Sequence, residues 1–437
     1  MSIEKINQAK AEIAATSAYK TITAFFDADS FCEIDAFAKS GEGFAEVVAG
    51  FGTVEGMPVY AFAQNSDICG GAMSKAQAAK LKKLYGLALK TGAPVVGFYD
   101  SVGGRLKQGT ELLAGCGDVL NAAASLSGVV PQISVVLGTC LGTNVLNAAS
   151  ADIVIMSKDA QLSLSVTGKH SDAAYNAENG IASIVCDDAD KAIKAAKELI
   201  LYLPSNNLTM APQSFEEAPA EDGCGCVVSR TVDGNSIVKL FNDYGKEANV
   251  RFARLGGQVV GIVVTKGKEL GCKSANKVAK FVRFCDAFSL PVVTFVNCPG
   301  FESIKSATKA SAAYAEATTV KISVVTGKAI GSGYVALAGT GANADVVYAL
   351  PDAVISPVNV EAAAFIMAPE VMNVATDKQA EVAQKFADEN LSAYNAAQNG
   401  YVDGIVEEAQ LRQTLISALD MLSGKRVSTL SKKHSTI

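Results

Sequence analysis

The sequence carries one series of motifs twice, in the same order. The segment I-S-V-V-L-G-T-C-L-G-T-N at 133–144 matches I-S-V-V-T-G-K-A-I-G-S-G at 322–333 without a gap. Matches that recur in a fixed order indicate a tandem duplication, so we expect two similar domains. Three further pairs precede this one: F-F-D-A-D-S-F at 25–31 with V-D-G-N-S-I at 232–237, F-G-T-V-E-G-M-P-V-Y at 51–60 with F-A-R-L-G-G-Q-V-V-G at 252–261, and A-P-V-V-G-F-Y-D at 93–100 with L-P-V-V-T-F-V-N at 290–297.

Within each half, short apolar stretches rich in β-branched residues alternate with helical patterns. Ser74 to Leu89 and Ala275 to Phe288 are predicted helices, and each precedes a strand that starts near a proline. This alternation predicts α/β domains with right-handed crossovers between parallel strands. A polar segment from Ala211 to Cys226 breaks both periodicities. We therefore expect two α/β domains, at residues 1–219 and 220–437.

Charge and residue usage exclude several classes of protein. The chain has 38 Lys and Arg against 44 Asp and Glu, a net charge of −6, which argues against a nucleic-acid partner. Its only histidines are His170 and His434, and no pair of Cys-x-x-Cys motifs occurs. A zinc site and a Ser-His-Asp triad are therefore not expected, and we predict no bound metal. The Cys224-Gly225-Cys226 sequence is interpreted as structural.

The chain contains no candidate membrane span. Its apolar stretches are shorter than the roughly 18 residues that a spanning helix needs, and the first residues lack the apolar core of a signal peptide. Single cysteines, too few for a disulfide scaffold, fit reduced thiols. We expect a cytoplasmic protein.

Two glycine turns, Gly138 to Asn144 and Gly327 to Gly333, each follow a predicted buried strand and open a helix. Free N–H groups at such a helix start can bind an anion, or can form an oxyanion hole if a thioester oxygen lies there. The glycines could equally serve only to allow a tight turn. Because the turns occupy equivalent positions in two domains, we favour paired oxyanion sites.

The loop D-S-V-G-G-R, Asp100 to Arg105, lies at the carboxyl end of a predicted strand, where ligands of α/β proteins usually bind. Arg105 could contact a phosphate or a carboxylate, or could form a salt bridge. The spacing of Glu111, Asp118 and Asp286 gives no reason to pair any two of them as acid and base.

Several longer strings resemble one family, the carboxyltransferase subunits of biotin-dependent acyl-CoA carboxylases and decarboxylases. This family belongs to the crotonase superfamily, and the similarity runs from about Phe25 to about Val371. The strings that carry it are L-A-G-C-G-D-V at 113–119, S-G-V-V-P-Q-I-S-V-V at 127–136, Y-L-P-S-N-N at 202–207, F-A-R-L-G-G at 252–257, F-V-R-F-C-D-A-F at 281–288 and Y-A-E-A-T at 314–318.

The resemblance implies two crotonase-like domains of the ββα-superhelix type, with the N-terminal domain of one subunit facing the C-terminal domain of another. It implies transfer of CO₂ between an acyl-CoA and biotin, through an enolate that oxyanion holes stabilise. One hole maps onto Gly142 and Thr143, for the acyl thioester oxygen, and the other onto Ser332 and Gly333, preceded by Gly331, for the biotin ureido oxygen. The substrate-binding residues implied are Ser101, Gly103, Gly104, Arg105, Asn144, Pro299, Gly300 and Val335.

The chain departs from the family pattern at both turns. It has G-T-N at 142–144 and G-S-G at 331–333 where relatives have G-G-A, although any residue except proline keeps the N–H. It has D-S-V-G-G-R for D-S-G-G-A-R, and N-C-P-G-F at 297–301 for D-V-P-G-F. Two family segments, after Phe301 and after Leu164, are missing. This is a shortened member.

No biotinyl Met-Lys-Met or Met-Lys-Leu site occurs, so the resemblance implies a separate biotin carrier protein. It also implies a biotin carboxylase or a membrane decarboxylase beta subunit as a partner, and a homo-oligomer, either a dimer or a hexamer. The missing segments and the unfused carrier favour a decarboxylase acting on malonyl-, methylmalonyl- or glutaconyl-CoA over an acetyl- or propionyl-CoA carboxylase. Two alternatives stay open: a non-catalytic partner of a full-length paralogue, and an enoyl-CoA hydratase or isomerase.

Overall fold

The computed structural model describes residues 3–41, 43–165, 170–215, 218–219, 226–368 and 376–427. The chain separates into two compact units, Met1–Pro212 and Gln213–Ile437. The boundary predicted between residues 219 and 220 lies beside residues outside the described ranges and stays a prediction. Cys224 and Gly225 also lie outside those ranges. None of the nine described cysteines is in a disulfide.

The first unit contains seven α-helices and ten strands among its described residues. The helices are α1 Ile3–Ala14, α2 Ser17–Phe25, α3 Lys75–Thr91, α4 Thr110–Ala124, α5 Asn144–Ala149, α6 Ala173–Glu178 and α7 Ala189–Ile200. The strands are β1 Cys32–Glu33, β2 Lys39–Ser40, β3 Gly43–Phe44, β4 Val47–Val54, β5 Met57–Gln64, β6 Val95–Ser101, β7 Gln132–Leu141, β8 Ile153–Ser157, β9 Gln161–Ser163 and β10 Ile184–Cys186.

The described residues of the second unit form eight α-helices and eight strands. The helices are α8 Val227–Thr231, α9 Cys272–Ala287, α10 Ile304–Glu316, α11 Ser332–Leu337, α12 Val360–Met367, α13 Thr376–Asn390, α14 Ala393–Gln398 and α15 Glu408–Leu422. The strands are β11 Val238–Leu240, β12 Ala248–Leu255, β13 Gln258–Thr265, β14 Val292–Cys298, β15 Lys321–Ile330, β16 Val346–Ala349, β17 Val354–Ser356 and β18 Gly404–Ile405.

The two units have the same sheet topology. The first sheet runs β1-β4-β5-β6-β7-β8-β10 with β9 beside β7, and the second runs β11-β12-β13-β14-β15-β16-β18 with β17 beside β15. In each sheet the first three strands are antiparallel and the following strands are parallel. The predicted α/β class is confirmed.

Equivalent aspartates brace the same turn in both units. Asp27 accepts hydrogen bonds from the N–H groups of Glu55 and Gly56, and Asp233 accepts from those of Gly256 and Gly257. Those bonds hold the pKa of the Asp27 carboxyl below its usual range. The motifs that pair in the sequence therefore perform the same task, which explains why these residues match between the halves.

The longest central strands have a second shared brace near their ends. An Asp100 carboxylate oxygen accepts a hydrogen bond from the Thr139 N–H at 3.1 Å, and the Asn297 amide oxygen accepts one from the Lys328 N–H at 3.1 Å. A side chain at Gly138 would lie 2.3 Å from Asp100, so only glycine leaves room for this contact. These hydrogen bonds fix the last residues of β7 and β15, just before the chain turns at Gly142 and Gly331.

Helix α3 shows why the predicted helices form where they do. Ser74 caps its start by accepting a hydrogen bond from the Gln77 N–H, and Gly92 ends it in the left-handed conformation at φ 66°. Leu81, Leu84 and other apolar residues on one face are fully buried against the sheet, each contributing about 1.5–3 kcal/mol. No helix in the described part of the chain is both long enough and apolar enough to cross a bilayer.

Candidate functional site

The first glycine turn joins β7 to α5 and presents two backbone donors. Gly142 adopts φ +68°, which favours glycine, and Thr143 follows as the N-cap residue with φ −65°. The Gly142 N–H donates to the Ser163 carbonyl oxygen at 3.1 Å, so this N–H is already used within the fold, and the catalytic role predicted for Gly142 stays a prediction. Among the described residues, no hydrogen bond uses the N–H groups of Thr143 and Asn144. The pair of available donors is therefore displaced by one residue from the predicted pair.

The second glycine turn joins β15 to α11 in the same way. Gly331 adopts φ +50°, and its N–H donates to the Ser356 carbonyl oxygen at 2.8 Å, so Gly331 shapes the turn and does not supply a free donor. The next two N–H groups, those of Ser332 and Gly333, make no hydrogen bond within the described residues. A side chain at Gly333 would lie 2.4 Å from the Cys298 carbonyl oxygen, which explains why glycine is needed there.

The Asn144 side chain supports the neighbouring loop. It is 3% exposed, and its Nδ2 donates to the Ser101 Oγ at 2.9 Å and to the Gly103 carbonyl oxygen at 3.0 Å. Ser101 is fully buried and bonds to Gly103 as well. Both side chains therefore hold the loop against the turn, and the substrate-binding roles predicted for Asn144 and Ser101 stay predictions.

Arg105 forms a partly buried ion pair. Its Nε lies 2.5 Å from the Oε1 of Glu46, whose side chain is fully buried, and its other nitrogens donate to the Ser40 carbonyl oxygen and the Cys69 Sγ. The salt-bridge alternative holds, and the substrate-binding role predicted for Arg105 stays a prediction. Removing Arg105 would leave the Glu46 carboxylate buried without its partner.

The remaining loop residues pack closely beside the two turns. In the first unit, Gly103 adopts φ +124°, and a side chain at Gly104 would lie 2.4 Å from Leu112. In the second unit, Pro299 and Gly300 follow β14, and the Cys298 thiol donates to the Gly300 carbonyl oxygen at 3.2 Å. Burial raises the pKa of Cys298 to about 11, so it stays a neutral donor and not a nucleophilic thiolate.

The Thr143 side chain contacts helix α4. Its Oγ1 lies 3.1 Å from the Cys116 Sγ. The residue thus fits in the turn with ordinary backbone angles, and its N–H is retained.

Helix α10, which begins at Ile304, follows Phe301 almost directly, as the missing segment predicts.

A cavity of 470 Å³ lies beside the second turn, within the second unit. None of the side chains that line it is charged. Val335, predicted from the sequence, lines it, and Tyr334 closes one side by donating from its hydroxyl to the Tyr401 carbonyl oxygen at 2.6 Å. Burial raises the pKa of Tyr334 above its usual value. The sequence analysis missed Tyr334, Ile355, Leu391 and Ala396, which also line this cavity.

The chemistry available at these sites is that of backbone dipoles. In the part of the chain that the structure describes, no group of three or more His, Cys, Asp or Glu side chains could hold a metal ion. Paired N–H groups at the start of a short helix stabilise an oxygen that gains negative charge. Each unit therefore presents, at its glycine turn, two consecutive N–H groups that bond to no described residue.

Comparison with known proteins identifies the class as a crotonase-like carboxyltransferase. The chain belongs to the carboxyl transferase domain family, whose profile matches residues 15–437. It is 35% identical to the methylmalonyl-CoA decarboxylase subunit alpha of Veillonella parvula, with 96% of this chain and 92% of that protein covered. It is 34% identical to the methylmalonyl-CoA carboxyltransferase 12S subunit of Propionibacterium freudenreichii subsp. shermanii, with 89% and 83% covered.

A solved structure shows the same fold over the whole length. The transcarboxylase 12S hexamer with hydrolysed methylmalonyl-coenzyme A bound matches with a TM-score of 0.92 and 30% identity, over 99% of this chain and 98% of that chain. The predicted family, the tandem crotonase-like fold and the enzyme class, a biotin-dependent acyl-CoA carboxyltransferase, are confirmed.

Proposed function

We propose that this chain is the subunit that moves CO₂ between an acyl-CoA and biotin on a separate carrier protein. The observation that carries the proposal is the pair of equivalent turns, each with two consecutive unused N–H groups, at Thr143 and Asn144 and at Ser332 and Gly333. During carboxyl transfer, the thioester oxygen of the acyl group and the ureido oxygen of biotin each gain negative charge. Two preorganised donor pairs meet that need without a titrating side chain.

In this proposal the first turn binds the acyl thioester oxygen. When CO₂ leaves or joins the α-carbon, the acyl group passes through an enolate, and the Thr143 and Asn144 N–H groups stabilise its oxygen. Asn144 and Ser101 hold the turn in place through their buried hydrogen bonds. Because these donors are already in position before the reaction, they need little reorganisation, and this lowers the activation barrier.

The second turn binds the biotin ureido oxygen through Ser332 and Gly333. The uncharged cavity beside it fits an uncharged ring system, because no charged side chain lines it. Biotin itself accepts or donates the CO₂. Gly331 and Gly333 leave room for the biotin ring to approach the turn closely. Val335 lines the cavity, and Pro299 and Gly300, which follow β14, complete the proposed set of binding residues.

The relatives guide the choice of substrate and partners. Similarity to a methylmalonyl-CoA decarboxylase subunit and a propionyl-CoA carboxylase chain supports a short acyl-CoA, with methylmalonyl-CoA as the first candidate. We propose a biotin carrier protein as partner, together with a membrane decarboxylase beta subunit or a biotin carboxylase. Similarity to the transcarboxylase 12S hexamer supports a homo-oligomer. The domain limits 1–219 and 220–437 and a cytoplasmic location complete the proposal.

Biotin-dependent loss of a carboxylated acyl-CoA tests the proposal. Purified protein is mixed with malonyl-, methylmalonyl- or glutaconyl-CoA and excess free biotin, and CoA esters are quantified by chromatography. We expect methylmalonyl-CoA to be decarboxylated only when biotin is present. Absence of turnover with all three esters, under conditions in which a full-length relative works, would favour a non-catalytic partner of such a relative.

A further inference from the structure

The antiparallel strands at the start of the two sheets can be compared residue by residue. In the first unit, Glu33 of β1 lies opposite Gly50 of β4. In the second unit, Lys239 of β11 lies opposite Arg251 of β12. Both pairs lie next to the phenylalanine that begins the motif shared by β4 and β12. Lys239 therefore stands where the first unit has Glu33, and Arg251 stands where it has Gly50.

A third substitution follows strand β13. The Lys266 N–H donates to the Glu247 carbonyl oxygen at 3.1 Å, as the Asn65 N–H donates to that of Glu46 at 3.0 Å. Lys266 therefore corresponds to Asn65. At these three equivalent positions the first unit has one acidic residue and no basic one, whereas the second unit has three basic residues.

In the first unit this surface of the sheet is covered. The Glu33 Oε1 lies 2.7 Å from the Nζ of Lys80, whose side chain is buried. A side chain at Gly50 would lie 2.2 Å from a backbone carbonyl oxygen of β1, so only glycine fits there. Helix α1 contributes Glu12 to the same place, and a cavity of 230 Å³ remains between this helix and the sheet.

In the second unit the equivalent surface forms a cleft of 850 Å³. Lys239, Arg251 and Lys266 all line this cleft. Three side-chain amides also line it, those of Asn235, Asn242 and Asn249. Its volume lies in the range of roughly 300–1,000 Å³ that is typical of sites for small molecules.

The lysines of the cleft form no ion pair within the described residues. Asp233 is the acidic residue that lines the cleft, and it is 3% exposed. Its carboxylate accepts two backbone hydrogen bonds from the turn between β12 and β13 and lies 2.8 Å from the Nη2 of Arg412. Asp233 therefore serves the fold, and the cleft keeps an excess of positive charge.

This positive charge is concentrated at the cross-strand pair. Like charges directly opposite each other on two strands destabilise a sheet, which is the arrangement of Lys239 and Arg251. Arg251 is 8% exposed, so solvent screens its charge poorly. Partial burial and the neighbouring Arg251 guanidinium lower the pKa of Lys266. The second unit thus contains a repulsion that an anion bound in the cleft would offset.

We propose that this cleft binds a small molecule that carries two or more phosphate groups, at a site separate from both glycine turns. The Arg251 guanidinium suits phosphate oxygens because it can donate two parallel hydrogen bonds, and Lys239 and Lys266 add charge. A terminal phosphate carries a charge of about −1.5 to −2 at pH 7, so two phosphate groups match three cations better than one carboxylate does. The side-chain amides can bind the uncharged part of the ligand.

The proposal goes beyond the proposed carboxyl transfer. The cleft shares no lining residue with the cavity beside the second turn. Binding of the ligand is therefore expected to be independent of acyl-CoA and of biotin.

Isothermal titration calorimetry with inorganic pyrophosphate as the probe tests the proposal on the full chain. Lys239→Glu and Lys266→Asn each introduce the residue that the first unit has, at an exposed position, so both variants should fold. We expect the wild-type protein to bind pyrophosphate and each variant to bind it about tenfold or more weakly, because each loses a charged partner. Lys385→Glu makes the same charge change on the exposed side of α13, outside the cleft, and should keep the wild-type affinity.

Three results would overturn the proposal. Absence of pyrophosphate binding to the wild-type protein, or wild-type affinity in both cleft variants, would show that the cleft is not an anion site. Citrate that binds as tightly as pyrophosphate would exclude selectivity for phosphate. Displacement of pyrophosphate by methylmalonyl-CoA would show that the site is not separate. Because the measurement is of binding, absence of biotin-dependent turnover would leave this test unchanged.

Discussion

Replacing Thr143 by proline is expected to lower kcat by about 10² to 10³, because it deletes one N–H donor of the first turn. The backbone at Thr143 has φ −65°, which is the value that a proline ring imposes, so the turn itself can remain. The preceding residue is Gly142, whose lack of a side chain relieves the crowding that proline causes. The Thr143 N–H bonds to no described residue, so no internal hydrogen bond is lost.

Thr143→Ala is the matched control for this variant. It keeps the N–H and removes only the Oγ1 contact with the Cys116 Sγ, so kcat should stay near the wild-type value. Both variants would be compared by steady-state kinetics with methylmalonyl-CoA and free biotin, after circular dichroism has shown equal folding. If the folded Thr143→Pro protein keeps the wild-type kcat, this turn does not act as an oxyanion hole. Gly142→Pro would not discriminate, because proline cannot adopt φ +68°.

Arg105→Met is expected to destabilise the protein by about 3–5 kcal/mol, because it leaves the Glu46 carboxylate buried without its cationic partner and with the Ser74 hydroxyl as its remaining side-chain donor. The loss should fall toward the lower value, since the Arg105 side chain is 23% exposed while that of Glu46 is fully buried. Urea denaturation would measure the change in the free energy of unfolding. In the folded variant, the KM for acyl-CoA should remain within about twofold of wild type, because the guanidinium faces Glu46 and Ser40.

The double variant Arg105→Met/Glu46→Gln separates structure from substrate binding. Removing the carboxylate charge as well should recover part of the lost stability, because the buried charge is then gone. A large rise in the KM for acyl-CoA with unchanged stability of Arg105→Met would instead support the substrate-binding role predicted from the sequence.

The duplicated motifs predicted the architecture because each matched residue has a local task that its own sequence neighbourhood determines. Asp27 and Asp233 brace hairpin turns, and the glycines of both turns adopt backbone angles that other residues avoid. Such local demands leave a pattern in the sequence. The positions of the two turns at the ends of β7 and β15 could therefore be predicted.

The identity of the free donors could not be predicted in this way. Whether the Gly142 N–H is available depends on the carbonyl oxygen of Ser163, about twenty residues later in the chain. The Gly331 N–H depends in the same way on the carbonyl oxygen of Ser356. Those short strands, β9 and β17, have no strong pattern of their own. The role of Arg105 likewise depends on Glu46, a buried carboxylate that is distant in sequence.

The cavity in the second unit illustrates a different limit. The strings A-Y-N-A at 174–177 and A-Y-N-A at 393–396 suggest that Asn176 matches Asn395. The helix caps show instead that Asn176 matches Ala396, one position later. The matching strings are thus one residue out of register with the structure, and the replacement of Asn176 by Ala396 becomes visible only when the helix caps are compared.

The most direct test of the central claim follows the transferred carbon. Methylmalonyl-CoA labelled with ¹⁴C in its free carboxyl group is incubated with the protein and free biotin, and acid-labile label on biotin is separated from released CO₂. The account predicts label on biotin in the wild-type protein and its loss in Thr143→Pro. Release of labelled CO₂ at the same rate with and without biotin, with no label ever found on biotin, would contradict carboxyl transfer.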